Sequence, residues 1–252
     1  MELHFRKYGN GQPLVILHGL FGSSDNWQTL GKKFSEDFEV YLVDLRNHGH
    51  SPHSNAFSYE LMAEDLYGFF REQHLYDAIL LGHSMGGKAS VLFAQQNPDL
   101  LEKLIIVDIG IKSYPMHHGP VLDALNAVKP ETISSRKEAD EIISSKLPDE
   151  GVKHFLLKNL YWKEKGKLAW RFNLPVLEKE MNQIIEALPE LMIQIPTLFI
   201  RGDQSNYILE EDYAGIKRLF PNVDFKTIHG AGHWVHAEAP EAFYKLVMDF
   251  IR

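Results

Sequence analysis

Gly82-His83-Ser84-Met85-Gly86 is a G-x-S-x-G pentapeptide, and Ser84 at its centre is the candidate nucleophile of the chain. A serine hydroxyl attacks a carbonyl carbon only when a base takes its proton and donors receive the oxyanion that forms. Residues 229–234 read His-Gly-Ala-Gly-His-Trp, so glycines flank His233 and let its loop turn an imidazole toward Ser84. The oxyanion needs two backbone N–H donors. One is Met85, just past the serine; the other comes from His18-Gly19-Leu20, with Leu20 first and Phe21 second. A carboxylate should orient the imidazole, and Asp44, Asp108 and Asp203 each stand just after an apolar run. These residues alone leave that choice open.

Other polar residues near these motifs read as structural. His83 supports the turn around Ser84, His229 and His236 belong to packing or surface, and Lys88 points to solvent. Asp44 ties down the polar loop at 46–51 through backbone N–H groups. His117-His118 has no carboxylate cluster beside it, so no metal site is expected.

The elements that must position these residues are legible as a rhythm. The apolar run at 78–81 leads into the pentapeptide, and an Ala-rich helical pattern at 85–96 follows it, so Ser84 sits on a strand–turn–helix corner. Gly82 and Gly86 stand where a β-carbon would meet other backbone, and Gly87 adds a small residue where helix and strand cross. Short apolar runs at 14–17, 40–43, 104–107 and 197–200 read as strands buried on both faces, with helical patterns such as 59–73 between them. Residues 3–8 alternate like an edge strand. The pattern is that of crossover units, hence an α/β fold with a mostly parallel sheet and helices on both faces. Ligands of such sheets bind beyond the carboxyl ends of the strands, where Ser84, His233 and the acids all fall.

Between 111 and 195 the rhythm stops. Helix-like segments at 119–128, 135–145, 151–160 and 174–188 are punctuated by prolines. They read as a helical cap inserted between the two parts of a core domain, 1–110 and 196–252. Around the Lys/Gly stretch at 163–167 a hairpin is the alternative to helix. The cap aromatics Tyr161, Trp162, Trp170 and Phe172 read mainly as cap core, with Tyr161 and Trp162, beside Phe21 of the first loop, as candidates to face substrate.

Composition excludes several function classes. The chain has 252 residues, is 44% hydrophobic and carries a net charge of −8, which disfavours nucleic acid and anionic membrane surfaces as partners. It has no cysteine, so neither disulfides nor thiolate chemistry. No apolar run approaches the roughly 18 residues that span a bilayer, and residues 1–11 do not read as a signal peptide. A soluble cytoplasmic protein is the expectation.

Taken together, His18-Gly19-Leu20-Phe21-Gly22-Ser23, Asp44-Leu45-Arg46-Asn47-His48-Gly49, Gly82-His83-Ser84-Met85-Gly86-Gly87-Lys88, Val107-Asp108-Ile109 and Gly230-Ala231-Gly232-His233-Trp234 resemble the α/β-hydrolase superfamily, specifically its YbfF-type esterases. The resemblance implies an α/β-hydrolase fold and a cofactor-free serine hydrolase with a helical cap. It also implies small-molecule esters or acyl thioesters as substrates. One departure from the wider superfamily matters. The usual acid, counted from Gly202, falls on Ser205. The resemblance to YbfF-type enzymes puts the acid one strand earlier, at Asp108, which favours Asp108 over Asp203, with Asp203 as the alternative acid or as a support to His233 from behind. Hydrolysis of C–C or other non-ester bonds on the same fold is the alternative, and a non-catalytic ligand receptor a remoter one.

Overall fold

The structure is a computed structural model that describes residues 1–116 and 118–252; His117 lies outside the described residues. Its elements follow the expected rhythm. β1 (Phe5–Tyr8) and β2 (Pro13–Leu17) are followed by a 3-10 turn at Ser24–Trp27 and by α1 (Gln28–Phe34). Then come β3 (Glu39–Val43), α2 (Tyr59–Glu72), β4 (Ala78–His83), α3 (Met85–Gln96) and β5 (Leu101–Val107). The segment that interrupts the rhythm holds α4 (Gly119–Ala127), α5 (Arg136–Ser144) and α6 (Glu150–Leu157), then β6 (Leu160–Glu164), β7 (Lys167–Trp170), α7 (Leu174–Lys179) and α8 (Met181–Ile185). The chain returns through β8 (Thr197–Gly202), α9 (Tyr213–Leu219) and β9 (Val223–Ile228) to α10 (Val235–Glu238) and α11 (Pro240–Ile251).

Seven strands form one sheet in the order β1-β3-β2-β4-β5-β8-β9, parallel throughout except for β1 at the edge. The order reverses direction around β2 and β4, so the loops that leave those strands diverge and open a crevice above their carboxyl ends. Alternation along the strands sends side chains to two separate cores. Leu14, Ile16, Ile79, Leu81, Ile105 and Val107 pack on one face with Trp27, Phe34, Phe243 and Val247. Val15, Leu17, Leu80, Leu104 and Ile106 pack on the other with Met62, Leu66, Phe69 and Phe93.

In the inserted segment the hairpin alternative around the Lys/Gly stretch is the one the structure shows. Gly166, at φ +79, turns the Lys/Gly stretch, and residues 160–170 pair as an antiparallel hairpin with Tyr161 opposite Ala169 and Trp162 opposite Leu168. The local reason is that only glycine takes this backbone conformation without strain. The helix expected at 174–188 is two short helices that meet at Glu180 and end before Glu186, whose backbone is extended. Among the described residues no helix is long and apolar enough to cross a membrane.

Candidate active site

Ser84 sits between β4 and α3 at φ +53, ψ −120, a conformation that non-glycine residues rarely adopt. The turn is sharp because three glycines permit it. A β-carbon on Gly82 would lie 2.3 Å from the Gly86 carbonyl oxygen, and one on Gly86 would lie 2.5 Å from that of His18. One on Gly87 would lie 2.5 Å from Ile109 Cγ2, so all three positions are closed to larger residues. Met85 opens α3, and the first N–H groups of a helix have no partner within it, so they face the serine and favour negative charge there.

The structure brings Ser84, His233 and Asp108 into one chain of hydrogen bonds. The Ser84 hydroxyl donates to His233 Nε2 at 3.0 Å, and His233 Nδ1–H donates to Asp108 Oδ2 at 2.8 Å. Asp108 is fully buried at the end of β5, the strand beside the Ser84 strand. Its carboxylate also accepts from Gly202 N–H at 3.1 Å and from the Ser205 hydroxyl. Ser205 thus occupies the place from which the superfamily's usual acid would act. It reaches across to hold an acid that comes from the neighbouring strand. Asp203 faces elsewhere. Its carboxylate accepts from His229 Nδ1–H at 2.9 Å and Gly230 N–H at 2.8 Å, so it fastens the start of the His233 loop and does not touch the imidazole. The His229 bond, foremost, holds the Asp203 carboxyl below its ordinary range.

Histidines buttress the site. His83 Nε2–H donates to the His233 carbonyl at 2.9 Å, joining the Ser84 turn to the His233 loop. Leu45 N–H donates to His18 Nε2 at 3.0 Å, and Phe21 N–H donates to His48 Nε2 at 3.2 Å, so the two loops after β2 and β3 grip each other reciprocally. Burial, foremost, lowers His83 well below the usual imidazole range and brings His48 and His236 down to about 3. These rings are neutral scaffolding. Phe21 N–H, the second choice of oxyanion donor from the sequence, is thus engaged by His48. His236 stacks on Trp27 with ring centroids 4.1 Å apart, as packing. Asp44 accepts from Ser24 N–H at 2.6 Å and His50 N–H at 2.9 Å, as a loop tie.

Two expectations are corrected. Lys88 does not reach solvent: it is 1% exposed, and its ammonium donates to the Glu186 carbonyl beyond α8. Helical phase turns it away from the surface, and its four-carbon stem lets the charge find a carbonyl. Burial brings the Lys88 ammonium down to about 8. Tyr161 and Trp162 do not line the cleft above Ser84. The hairpin carries Trp162 outward to 47% exposure, and the Tyr161 ring lies 3.8 Å beneath the Arg171 guanidinium. Phe21 does line the cleft, with Val152, Phe155 and Trp234, in a cavity of about 210 Å³ over Ser84 and His233. Tyr207, whose ring stacks on His233 at 4.0 Å, escaped sequence reading because no local motif marks it. Among the described residues no group of three or more His, Asp or Glu side chains could hold a metal ion.

Comparison with known proteins agrees with this architecture. The family described as "alpha/beta hydrolase fold" matches residues 12–146. The chain is 40% identical to "sn-1-specific diacylglycerol lipase ABHD11" of Mus musculus, over 94% of this chain and 80% of that one. It is 37% identical to "Esterase YbfF" of Escherichia coli, over 96% and 94%. Among solved structures, "Marine microorganism esterase" superposes with a TM-score of 0.97 at 40% identity, covering 99% of both chains.

Proposed function

The chain belongs to the α/β-hydrolase family, among its YbfF-type esterases, and from that premise we propose that it cleaves carboxylic esters through an acyl-enzyme on Ser84. The observation that carries this reading is the unbroken chain from Ser84 Oγ through His233 to Asp108, at 3.0 and 2.8 Å. Ser84 Oγ attacks the ester carbonyl while its proton passes to His233 Nε2. The oxyanion is received by the N–H groups of Leu20 and Met85, each such donor lowering the barrier by about 3 kcal/mol. His233 then hands its proton to the departing alkoxide, and the alcohol leaves. A water, deprotonated in turn by His233, attacks the acyl-enzyme and releases the carboxylic acid. Asp108 keeps the imidazole in the tautomer that accepts from serine, and Ser205 and Gly202 keep Asp108 in place. Residues 111–195 act as the cap: α4 and α6 contribute Val121, Val152 and Phe155 to the lining of the cavity over Ser84. An acyl thioester would follow the same steps with a thiol leaving.

Ser84→Ala should abolish release of p-nitrophenol from p-nitrophenyl acetate while the protein keeps its fold by circular dichroism. A fluorophosphonate probe should label the wild type at Ser84 and leave the variant unlabelled. Undiminished turnover in Ser84→Ala would reject the acyl-enzyme. Parallel assays with p-nitrophenyl acetate and acetyl-CoA separate an esterase from a thioesterase.

A further inference from the structure

Two cavities meet at Ser84, and only one of them is reached by the general acid. The larger, of about 210 Å³, is lined by His233 together with Val121, Val152, Phe155, Leu156 and Trp234. The smaller, of about 20 Å³, also borders Ser84, is walled by Met85, Ile109, Tyr59, Tyr114, Ile184 and Ile185, and is not lined by His233. Leu20, Ser84, His118 and Tyr207 border both.

Chemistry assigns the two halves of an ester to these spaces. In the tetrahedral intermediate the leaving oxygen must come within hydrogen-bond reach of His233 Nε2 to take its proton. The alcohol half therefore extends into the cavity that His233 lines. The carbonyl oxygen points to the N–H groups of Leu20 and Met85, and the acyl substituent takes the remaining direction, into the small cavity beside Met85. We infer that this enzyme selects esters of a short acyl group, acetyl or propionyl in size, with a large apolar alcohol. The inference rests on the acyl-enzyme reading above.

Size and polarity both support the assignment. A water-sized group needs ~10–15 Å³ of such space, so the acyl side holds one or two groups the size of a methyl. Two of its tyrosines, Tyr59 and Tyr114, have their hydroxyls engaged with backbone. Tyr59 Oη–H donates to the Ile184 carbonyl at 2.8 Å, and Tyr114 Oη–H donates to that of Tyr207 at 2.9 Å while accepting from Gly110 N–H at 2.7 Å. The wall is also fastened. Three successive carbonyls at the C-terminal end of α8 are each held from outside: Ile184 by Tyr59, Ile185 by Tyr114 N–H at 2.9 Å, and Glu186 by the buried Lys88 ammonium. A longer acyl chain would have to displace Ile184 or Ile185 against these three bonds. Away from the catalytic side chains the alcohol side is lined mainly by apolar carbon, including Val121 of α4, Val152, Phe155 and Leu156 of α6, and Trp234, which favours an alkyl or aryl alcohol over a charged one.

The test uses two ester series on the full chain. With 1-naphthol fixed as leaving group, kcat/KM should be highest for acetate or propionate and at least tenfold lower for hexanoate. With acetate fixed, it should rise from ethyl to hexyl and 2-phenylethyl esters. Ile184→Ala, with Ile185→Ala as a second variant should the first fail to fold, should raise the hexanoate-to-acetate ratio at least fivefold and leave the ranking of acetate esters unchanged. Val152→Trp should depress the large acetate esters selectively. Hexanoate cleaved as well as acetate by the wild type, or an acyl ratio unmoved by both wall variants, would overturn the assignment even while fluorophosphonate labels Ser84. No turnover of any ester together with no labelling would overturn the acyl-enzyme reading as well.

Discussion

The corner that carries Ser84 and the inserted segment above it are built under different constraints. At the corner, backbone passes backbone at distances that admit no β-carbon, so residue type is dictated atom by atom. In the segment from 111 to 195, the described helices and hairpin pack through apolar side chains such as Ala124, Leu125, Ile143, Leu156 and Leu168. A glycine such as Gly119 there meets nothing within 4 Å of where its β-carbon would be. The first region fixes chemistry and tolerates almost nothing, whereas the second shapes the space above it and tolerates much.

The comparison is most sharply tested by the acids at its base. Asp108→Asn should lower kcat by about 10⁴-fold, because the amide no longer holds the imidazole in its working tautomer. Asp203→Asn, which removes only an exposed tie to His229 and Gly230, should leave kcat close to wild type. The opposite ranking in steady-state assays would transfer the role to Asp203.

The glycines come next. Gly86→Ala should destabilise the fold by at least ~3 kcal/mol, since its new methyl would sit against the His18 carbonyl and Leu17. Gly119→Ala, at the first position of α4, should be neutral or stabilise by about 0.5–1 kcal/mol. Denaturant unfolding of the two variants reads the contrast directly; equal costs would erase it.

The smallest effect lies where the two regions touch, at Lys88. In the folded protein the ammonium is held down to about 8 from 10.5, so the unfolded chain binds the proton more tightly between those values. Stability therefore rises as pH climbs through that window and is lowest, for this group, below about 8. Between pH 8 and 9.5 the gain is on the order of 1 kcal/mol. Lys88→Met should lack it, so the difference in unfolding free energy between wild type and Lys88→Met should change by that amount over the same interval. A difference that does not move with pH would mean that the buried Nζ is better solvated than its surroundings indicate.

How much was legible in the sequence follows the same division. Runs at 14–17, 40–43, 78–81 and 104–107 became β2 to β5, and 85–96 became α3, because strands buried on both faces and a helix starting at a forced turn leave strong local patterns. The pairing of Ser84 with His233 was foreseeable from their places after β4 and β9. The hairpin at 160–170 stood only as an alternative to helix, since Tyr161 and Trp162 suit either. Lys88 was misplaced because a cation on a helix is normally solvated, and only the tertiary fold supplies the Glu186 carbonyl that receives it. Ser205 could be seen to lack a carboxyl, but nothing local told that its hydroxyl reaches Asp108.

Sequence by itself determined the strand–turn–helix corner at Ser84 and the layered α/β sheet, because close backbone approach and strand burial restrict residue type at the positions involved. The tertiary structure decided which carboxylate faces His233, which loop N–H His48 engages and how much room lies beside Ser84. Those depend on distances between segments far apart in the chain, and such distances leave no trace in local residue patterns.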